Sequence, residues 1–487
     1  MVDAKATGLQ GTGSYRFPGD FILESLDYVN RDGEVFGLNV LYESVDIYQC
    51  IYQPFMKCEI AINDSAGFIN EQPQSVVGGE IIYIAFKTSD PSMEVIRLAF
   101  LVNSIIARRR TSIGREQYII EAYSAEHFMS IDSKISRAYG YPAGLKVSEI
   151  VQSIHDEYMN TEVIRNIYRF LSQNERKVNK ENYSVVRNDL TTGLHQCTFP
   201  NINPIQAIRY LQKSAVSSDT ASLFYYYENF KGFHFKSLEK LVTEDAVFDE
   251  YEYYPSAQNT DSYKSGQNAF FIKEMERVKD VDMTANMSAG LYASTMIEID
   301  PLRKDFNRIE FDYENESFET LNKLKVPGGA KSDAVIHLKT SRRGHDTDSF
   351  FSSESPVSSR DILKDQKRAS YLRQITNSVI RLTLYGNSDI NVGDTIECVF
   401  HNATSFEAGK EEDKYTSGKY LITDARHKIG KTDYLTIIEC VKDTGTKERQ
   451  QGAKTSSSTT APAPKKSTAP IKAKKKANAS RGVAQVR

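Results

Sequence analysis

The stretch SVIRLTLYGNSDINVGDTIECVF, Ser378–Phe400, carries the clearest fold signal in the chain. Apolar residues occupy every second position on either side of its central GNSDINVGD: Ile380, Leu382, Leu384, Ile396, Cys398 and Phe400. This alternation is typical of strands with one buried face, and the Gly, Asn and Asp cluster is typical of a turn. The stretch therefore predicts a β-hairpin with a polar tip. None of its residues looks suited to catalysis.

Strand patterns also fill the first quarter of the chain. They are FMKCEIAIND (55–64), GEIIYIAFKT (79–88), which follows a Gly78–Gly79 turn, and REQYIIEAYS (115–124). Several short strands at this spacing predict an antiparallel sandwich or barrel over residues 19–123. The Gly-rich residues 1–18 before it predict a flexible arm.

Residues 124–285 predict a middle domain that mixes helices and strands. GLKVSEIVQSIHDEYMN (144–160) has apolar residues at helical spacing, and NINPIQAIRYLQKSA places Asn203 and Pro204 where a helix begins. SLFYYYENFKGFHFKSLEKL then predicts two aromatic strands joined at Asn229–Gly232, because glycine tolerates the positive φ of such a turn.

Strand patterns return in residues 286–445 and predict a second barrel. They are GLYASTMIEID, FNRIEFDYE, the hairpin quoted first, and GKYLITDARHKIGKTDYLTIIECVKD. A polar insertion at 325–375 interrupts them. It contains a predicted helix capped near Ser359, with one face formed by Ile362, Leu363, Gln366, Ala369 and Leu372. The strands at 55–88 and 289–440 suggest a structural repeat. The predicted fold class is α+β, mostly β: two antiparallel barrels, an intervening α+β domain and a tail.

Charge is unevenly distributed along the 487 residues, whose net charge is −3. Residues 451–487 contain nine Lys or Arg and no acidic residue, which leaves −12 for the rest. Large apolar residues are nearly absent from 446–487, so we predict a disordered, low-complexity basic tail. The apolar run Val95–Ala107 contains Arg97 and is too short to span a membrane, and the N-terminus has no signal-peptide core. We therefore expect no membrane insertion.

No sequence pattern predicts catalytic, metal-binding or cofactor-binding residues, and we expect no cofactor. Five weak matches have simpler structural explanations: Gly8–Gly13, Ser237–Lys240, Asp280–Asp282, the set His155, Asp156 and Glu157, and the cationic Ala107–Arg115. The last is expected to be a solvated loop or an intermolecular salt-bridge site rather than a phosphate site. The five cysteines have no metal-binding spacing and are expected to be reduced. The basic tail is a candidate for nonspecific nucleic-acid binding or for tethering an acidic protein.

Taken in order, these segments resemble the baseplate hub proteins of contractile phage tails. PFMKCEIAIND with GEIIYIAFKT resembles the first tube-like barrel, and NINPIQAIRYLQKSA with GFHFKSL resembles the middle section. RASYLRQITNSVIRLTLYGNSDINVGDTIECVF with YLTIIECVKD resembles the second tube-like barrel. The T4-like hubs are the nearest type, and the late-control and type VI secretion spike-hub proteins are wider relatives.

The resemblance implies a homotrimer whose six barrels form a ring around a channel. Such a ring adapts the hexameric tail tube to a trimeric spike, and the genome later passes through it. The polar-tipped hairpin would then serve as a wall or docking surface of the ring. The implied partners are other copies of the chain, the tail tube or a tube-initiator protein, a separate spike polypeptide, inner baseplate or wedge proteins and, as a further candidate, the tape measure protein. The implied location is the virion baseplate, with assembly in the host cytoplasm. The alternatives are a tail-associated cell-wall hydrolase and a nucleic-acid-binding protein that acts through its tail.

Overall fold

The computed structural model describes residues 19–65, 67–68, 76–88, 93–176, 178, 186–217, 222–253, 271–279, 282–300, 304–313, 336–340, 359–400, 413 and 416–442. The predicted arm at 1–18, the predicted tail at 446–487 and most of the insertion at 325–375 lie outside these residues.

The described part of the chain is mostly β, as its alternating apolar patterns predict. Its strands are β1 Phe21–Val29, β2 Val35–Gly37, β3 Tyr42–Cys50, β4 Lys57–Asp64, β5 Ile81–Thr88, β6 Ile96–Ser112, β7 Arg115–Ser124, β8 Ile135–Tyr139, β9 Arg187–Asn188, β10 Cys197–Ile202, β11 Phe224–Asn229, β12 Gly232–Ser237, β13 Phe248–Tyr253, β14 Ile272–Lys279, β15 Ala293–Asp300, β16 Asp305–Asp312, β17 Ile336–Thr340, β18 Val379–Tyr385, β19 Thr395–Phe400, β20 Gly418–Ile429 and β21 Tyr434–Val441. Its helices are α1 Ala125–Asp132, α2 Val147–Ile154, α3 Glu162–Gln173, α4 Pro204–Ser214, α5 Leu238–Thr243, α6 Met283–Ser288 and α7 Ser359–Ile375.

Thirteen strands belong to one large sheet that contains two similar groups. The first strand set consists of β1 and β3–β7, with neighbours in the order β1-β5-β6-β7-β4-β3. The second strand set consists of β13, β14 and β18–β21, with neighbours in the order β13-β19-β20-β21-β18-β14. Each set surrounds its own apolar core.

The two strand sets share one topology. When the six strands of each set are lettered A to F in chain order, the neighbours run A-D-E-F-C-B in both. The sets differ at one pairing, because A and D are antiparallel in the first set and parallel in the second. An order that crosses between non-consecutive strands in the same way twice indicates an internal repeat, which agrees with the repeat that the sequence suggests.

The predicted strand content of the second barrel is wrong in one respect. The strands β15 and β16 pair with each other and with β17, and among the described residues they form a separate three-stranded sheet. Their places are taken by β13 and β14, which fall within the range predicted for the middle domain and pair with β19 and β18. Alternation identifies a strand and its buried face, but it carries no information about the partner strand.

The middle section combines α2 and α4 with short strands around a third apolar core. Its predicted helices form as the sequence indicates. The apolar face of α2 is buried, and Pro204 occupies the first turn of α4 while the backbone N–H of Asn203 donates to Gln206 Oε1 at 3.2 Å. The hairpin of β11 and β12 turns between Asn229 and Gly232, as predicted.

The helix α7 forms, and of its predicted apolar face Gln366 is buried, while the side chains of Ile362 and Leu363 lie outside what the structure describes. Gln366, Ser370, Tyr371, Gln374 and Ile375 are buried, whereas Ala369 and Leu372 are only partly so. The polar members have partners in or beside β15 and β16, since Gln366 donates to the Ser294 carbonyl at 3.1 Å and Ser370 donates to the Leu291 carbonyl at 2.7 Å. Hydrogen bonding, which apolar periodicity cannot detect, therefore orients this helix.

The cysteines are free thiols, and Cys58, Cys398 and Cys440 are buried. The apolar run Val95–Ala107 lies mainly in β6. Among the residues that the structure describes, no helix has the length and apolar character needed to cross a membrane.

Candidate assembly interface

The two strand sets are joined edge to edge by a ladder between β3 and β20. Six antiparallel pairs run from Asp424 opposite Cys50 to Ile429 opposite Val45. Arg426 Nε lies 2.9 Å from Asp46 Oδ1, and its guanidinium stacks 5.4 Å from the centre of the Tyr48 ring. We call this ladder the internal joint. It makes one continuous sheet from two units that each have their own core.

The tip of the β11–β12 hairpin packs against the internal joint. The Phe230 ring lies 6.0 Å from that of Phe86 in the first set and 4.7 Å from that of His427 in the second. Next to it, Lys231 Nζ lies 2.9 Å from Asp394 Oδ2. Burial lowers the pKa of His427 to about 3, so its imidazole is neutral and behaves as an aromatic packing surface at neutral pH.

The strands β18 and β19 form as predicted, but the predicted hairpin is wrong, because β18 pairs with β14 and β21 whereas β19 pairs with β13 and β20. The polar connection between β18 and β19 is buried beside the internal joint. Asn387, Ser388 and Asn391 are almost fully buried, which contradicts the expectation of an exposed wall or docking surface. Asn391 Oδ1 accepts from the backbone N–H of Phe230 at 3.2 Å and from Gln49 at 3.4 Å. The polar residues are present because a buried backbone turn needs hydrogen-bond partners, and alternation alone does not distinguish this from solvent exposure.

The repeat extends to single hydrogen bonds. In the first set, the Gly79 N–H donates to the Val102 carbonyl, and the Val102 N–H donates to the Glu80 carbonyl, both at 2.8 Å. In the second set, Gly393, Ile422 and Asp394 make the same two bonds at 3.0 Å. Both glycines have left-handed φ, +85° and +86°.

The register after these hydrogen bonds is also shared. A register shift follows in each case, between Val102 and Ser104 in β6 and between Ile422 and Asp424 in β20. The next paired partners are Glu121 and Glu439. These glutamates lie in matching sequences, IIEA at 119–122 and IIEC at 437–440. This short match is the sequence signal that identifies the repeat.

Two buried carboxyl groups lie at the junction of the first strand set and the middle section. Glu228 Oε2 accepts from the Met56 N–H at 2.9 Å and from Ser124 Oγ at 2.6 Å, while Glu126 Oε1 accepts from the Tyr168 hydroxyl at 3.3 Å. Burial raises the pKa of Glu126 to about 7. Burial, together with the charge of Glu126, raises the pKa of Glu228 to about 8. Burial therefore disfavours the charged form of both carboxyl groups.

Most weak motif matches have structural partners. Ser237 caps α5 by accepting from the Lys240 N–H, and Lys240 Nζ lies 2.5 Å from Asp189 Oδ1. His155 is buried with Nδ1 2.8 Å from the Tyr226 hydroxyl, and burial lowers its pKa to about 4.

Two further matches, Asp280–Asp282 and Gly8–Gly13, lie partly or wholly outside the described residues. Asp282 Oδ1 caps α6 at 2.9 Å, whereas residues 280–281 and Gly8–Gly13 lie outside. In the described ranges, no group of three or more His, Cys, Asp or Glu side chains is arranged to hold a metal ion. The structure thus gives Ser237 and Asp282 capping roles.

One open cleft of about 300 Å³ lies between α1, α4 and the loop that follows β3. It is lined by Gln53, Pro54, Phe55, Tyr123, His127, Ser130, Ile131, Asn203, Ile205, Gln206 and Arg209. None of these lining residues carries a carboxyl group, and Glu126 and Glu228 are not among them. Glycoside cleavage ordinarily needs two carboxyl groups that face the substrate, so the cleft does not have that chemistry.

No protein-family model matches the chain, and no curated protein matches its sequence. Among solved structures, a tail protein from Neisseria meningitidis MC58 aligns at 9% identity over 88% of this chain and 98% of its own, with a TM-score of 0.48. The 43 kDa tail protein of prophage MuSo2 from Shewanella oneidensis aligns at 9% identity over 87% and 99%, also with a TM-score of 0.48. Escherichia coli c3393, a component of the type VI secretion system, aligns at 8% identity over 87% and 77%, with a TM-score of 0.37. All three TM-scores lie below 0.5.

Substituting the equivalent glycines Gly79 and Gly393 with alanine will separate backbone strain from packing at matching positions of the two strand sets. A Cβ at Gly393 would lie 2.2 Å from the Tyr227 hydroxyl, whereas a Cβ at Gly79 has nothing within 4 Å. Gly79→Ala should therefore cost only the strain of a left-handed residue, about 1–2 kcal/mol. Gly393→Ala should cost a further ~1–3 kcal/mol for overpacking. Thermal unfolding measures both, and equal losses of Tm would contradict the assignment.

Removing the buried carboxyl groups should flatten the pH dependence of stability. A carboxyl whose pKa is raised by folding stabilises the fold below its unfolded pKa, and this contribution is lost as pH rises through the folded value. For Glu126 and Glu228 the loss runs from about pH 4.5 to about pH 8. The Tm of the Glu126→Gln, Glu228→Gln double variant, relative to wild type, should therefore increase over that range.

The matched control for this pH experiment is Glu121→Gln. Burial alone would raise the pKa of Glu121, but hydrogen bonds from Lys57, Ser104 and Asn103 lower it to about 2. Its effect on Tm should be constant between pH 5 and pH 8. A double variant that tracks wild type in parallel over the same range would show that the buried pair does not titrate as assigned.

Proposed function

We propose that the chain is a structural hub subunit of the baseplate of a contractile phage tail. Three copies form a pseudo-hexameric trimer that adapts the hexameric tail tube to a trimeric central spike and encloses a channel for the genome. The observation that carries this proposal is that two strand sets with the same neighbour order are joined edge to edge in one polypeptide.

The repeat supports the proposal through symmetry. A protein with two similar units per chain presents six similar units when three chains surround an axis. Such a ring can bind a sixfold-symmetric partner through its six strand sets. It can bind a threefold-symmetric partner through the features in which the two strand sets of each chain differ. The separate sheet of β15–β17 and the parallel pairing of β13 with β19 are two such differences.

The partners follow from the resemblance of the sequence to hub proteins. They are the tail tube or a tube-initiator protein on one side of the ring, the spike on the other, inner baseplate or wedge proteins around it, and the tape measure protein as a further candidate. The protein would assemble in the host cytoplasm and reside in the virion tail. The charge of −12 on residues 1–450 would limit adhesion of DNA during its transient passage.

A non-catalytic role is supported by where the candidate chemistry lies. Ser237 and Lys240 are engaged in a helix cap and an ion pair, and the paired carboxyl groups Glu126 and Glu228 are buried away from the cleft. The protein therefore acts through its shape and its strand edges.

The oligomeric state of the full-length chain tests the proposal. Native mass spectrometry should detect a species of three times 55.0 kDa. Negative-stain images of that species should show a ring with six peripheral lobes and a central hole. A chain that stays monomeric at every concentration, or that forms a twofold dimer, would contradict the hub assignment.

The alternative of a cell-wall hydrolase predicts a different result. A suspension of exposed peptidoglycan should keep its turbidity when the purified chain is added, with hen egg-white lysozyme as the positive control. Loss of turbidity with the wild-type chain would favour the hydrolase, provided that replacing an acidic residue abolishes this loss.

A further inference from the structure

The internal joint connects one particular strand of each set. In the A-to-F lettering, it pairs strand E of the second set, β20, with strand B of the first set, β3. The equivalent strands that remain are β6, which is strand E of the first set, and β14, which is strand B of the second. If the two sets are equivalent, these strands carry the two halves of a second joint of the same kind.

The edge of β6 that matches the joint is exposed. Within β20, residues 418–421 pair with β19 and residues 424–429 pair with β3 on the same edge. Within β6, residues 96–101 pair with β5, but among the described residues no strand continues along that edge over 104–112. Residues 106–112 are all exposed, and Ile113 at the tip of the hairpin is fully exposed. The cationic Ala107–Arg115 is therefore exposed, but most of it lies in β6 and not in the loop that was one of the two expectations.

The matching edge of β14 is exposed as well. The strand β14 pairs with β18 on one side, and in the described part of the chain it ends the order of the large sheet on the other. Five of its eight residues are exposed. Its counterpart β3, which is covered by β20 in the internal joint, has only one exposed residue in nine. The strand β13 approaches β14 without pairing with it. A strand edge whose backbone groups have no strand partner is a template for another strand.

We propose that residues 104–112 of β6 pair in antiparallel fashion with β14 of a second copy of this chain, in the geometry of the internal joint. This inference rests on the proposed trimer and assigns its interface. Each contact is heterologous, because β6 of one copy meets β14 of the next, and such contacts form a closed ring when the rotation permits. With the internal joint between them, three copies give six alternating joints.

The equivalent glutamates fix which residues of β6 correspond to those of β20. The correspondence is counted along β7 and β21, because β6 has two further register shifts that β20 lacks, between Ile106 and Arg109 and between Arg110 and Ser112. Glu121 and Glu439 are equivalent, because each is the first partner after the register shift. The residue four positions before Glu121 in β7 pairs with Arg109 of β6. The residue four positions before Glu439 in β21 pairs with Lys428 of β20. Arg109 is therefore the counterpart of Lys428.

The same register links Asp46 of β3 to Glu276 of β14. Asp46 pairs with Glu59 of β4, which in turn pairs with Glu121 of β7. In the same way, Glu276 pairs with Arg381 of β18, which in turn pairs with Glu439 of β21. Lys428 faces Asp46 in the internal joint. The proposed joint consequently places Arg109 of one copy opposite Glu276 of the next.

The charges of the proposed joint are complementary. A basic residue faces an acidic one at this register position in both joints, and opposite charges directly across two strands stabilise the pair. Both proposed partners are accessible, since Arg109 contacts Gln117 at the surface and the Glu276 side chain is 62% exposed in a surface pair with Arg381. Arg108 and Arg110, both paired with Glu116, keep this end of β6 cationic and hydrated in the single chain.

Charge reversal tests the interface. Arg109→Glu and Glu276→Arg should each weaken the trimer about tenfold in the protein concentration it requires, because every ring then contains three like-charge pairs. The variant that carries both substitutions should recover the wild-type trimer. The control is Arg115→Glu, which makes the same charge change on β7 of the same hairpin and should leave the trimer unchanged.

Cysteine cross-linking tests the register. In a chain that carries Arg109→Cys and Glu276→Cys, the paired residues would lie ~4.5–5.5 Å apart between Cα atoms, which suits a disulfide. Mild oxidation should give a covalent trimer on a non-reducing gel, whereas the control pair Arg115→Cys and Glu276→Cys should stay monomeric.

The outcomes separate the inference from the proposed function. A wild-type trimer that neither cross-links nor responds to charge reversal would overturn the β6–β14 joint while leaving the hub assignment in place. A wild-type chain that never forms a trimer would overturn the hub assignment and the joint together. Cross-linking with recovery in the double reversal supports both.

Discussion

The arrangement of the two strand sets depends on which strand pairs with the outer edge of β3. An exposed strand edge leaves a row of backbone donors and acceptors available to any other strand, and the chain pairs this edge with β20 from its own second strand set. The pairing fixes both the distance and the rotation between two units that otherwise have separate cores. A shift of this pairing by one residue would turn the side chains of one strand of the joint to the opposite face of the sheet.

The rest of the chain protects that register. The hairpin of β11 and β12 inserts Phe230 between the two sets, and Asn391 binds both this hairpin and Gln49 of β3. Gly393 lets the connection approach Tyr227 more closely than any side chain would permit. The middle section therefore acts as a wedge that specifies one relative arrangement of the strand sets.

Sequence patterns predicted the strands better than their partners. Alternating residues such as Cys58, Ile60 and Ile62 identified β4 and its buried face, because burial on one side of a pleat has a local period. Partner choice depends on contacts distant in sequence. For that reason β15 and β16 were assigned to the wrong sheet, although the patterns of both strands were recognised.

The candidate interface was harder to predict from sequence than the fold. The polar GNSDINVGD tip has the composition of an exposed turn, and only the packed structure shows that its amides bind backbone and side chains in a buried junction. The cationic Ala107–Arg115 was noted as a possible intermolecular salt-bridge site, but its partner strand follows only from the repeat. The matching IIEA and IIEC segments carry that information in a form too short to interpret without the register of β6 and β20.

Hydrogen–deuterium exchange on the full-length chain, measured above and below the concentration at which it assembles, tests the equivalence of the two joints most directly. Amides of β3 and β20 in the internal joint should exchange slowly in both samples. Within residues 104–112 and β14, the amides that point away from β7 and β18 should exchange rapidly in the dilute sample and become as slow as those of the internal joint on assembly. If assembly protects other segments and leaves these two edges in fast exchange, the two joints are not equivalent and the ring is built in another way.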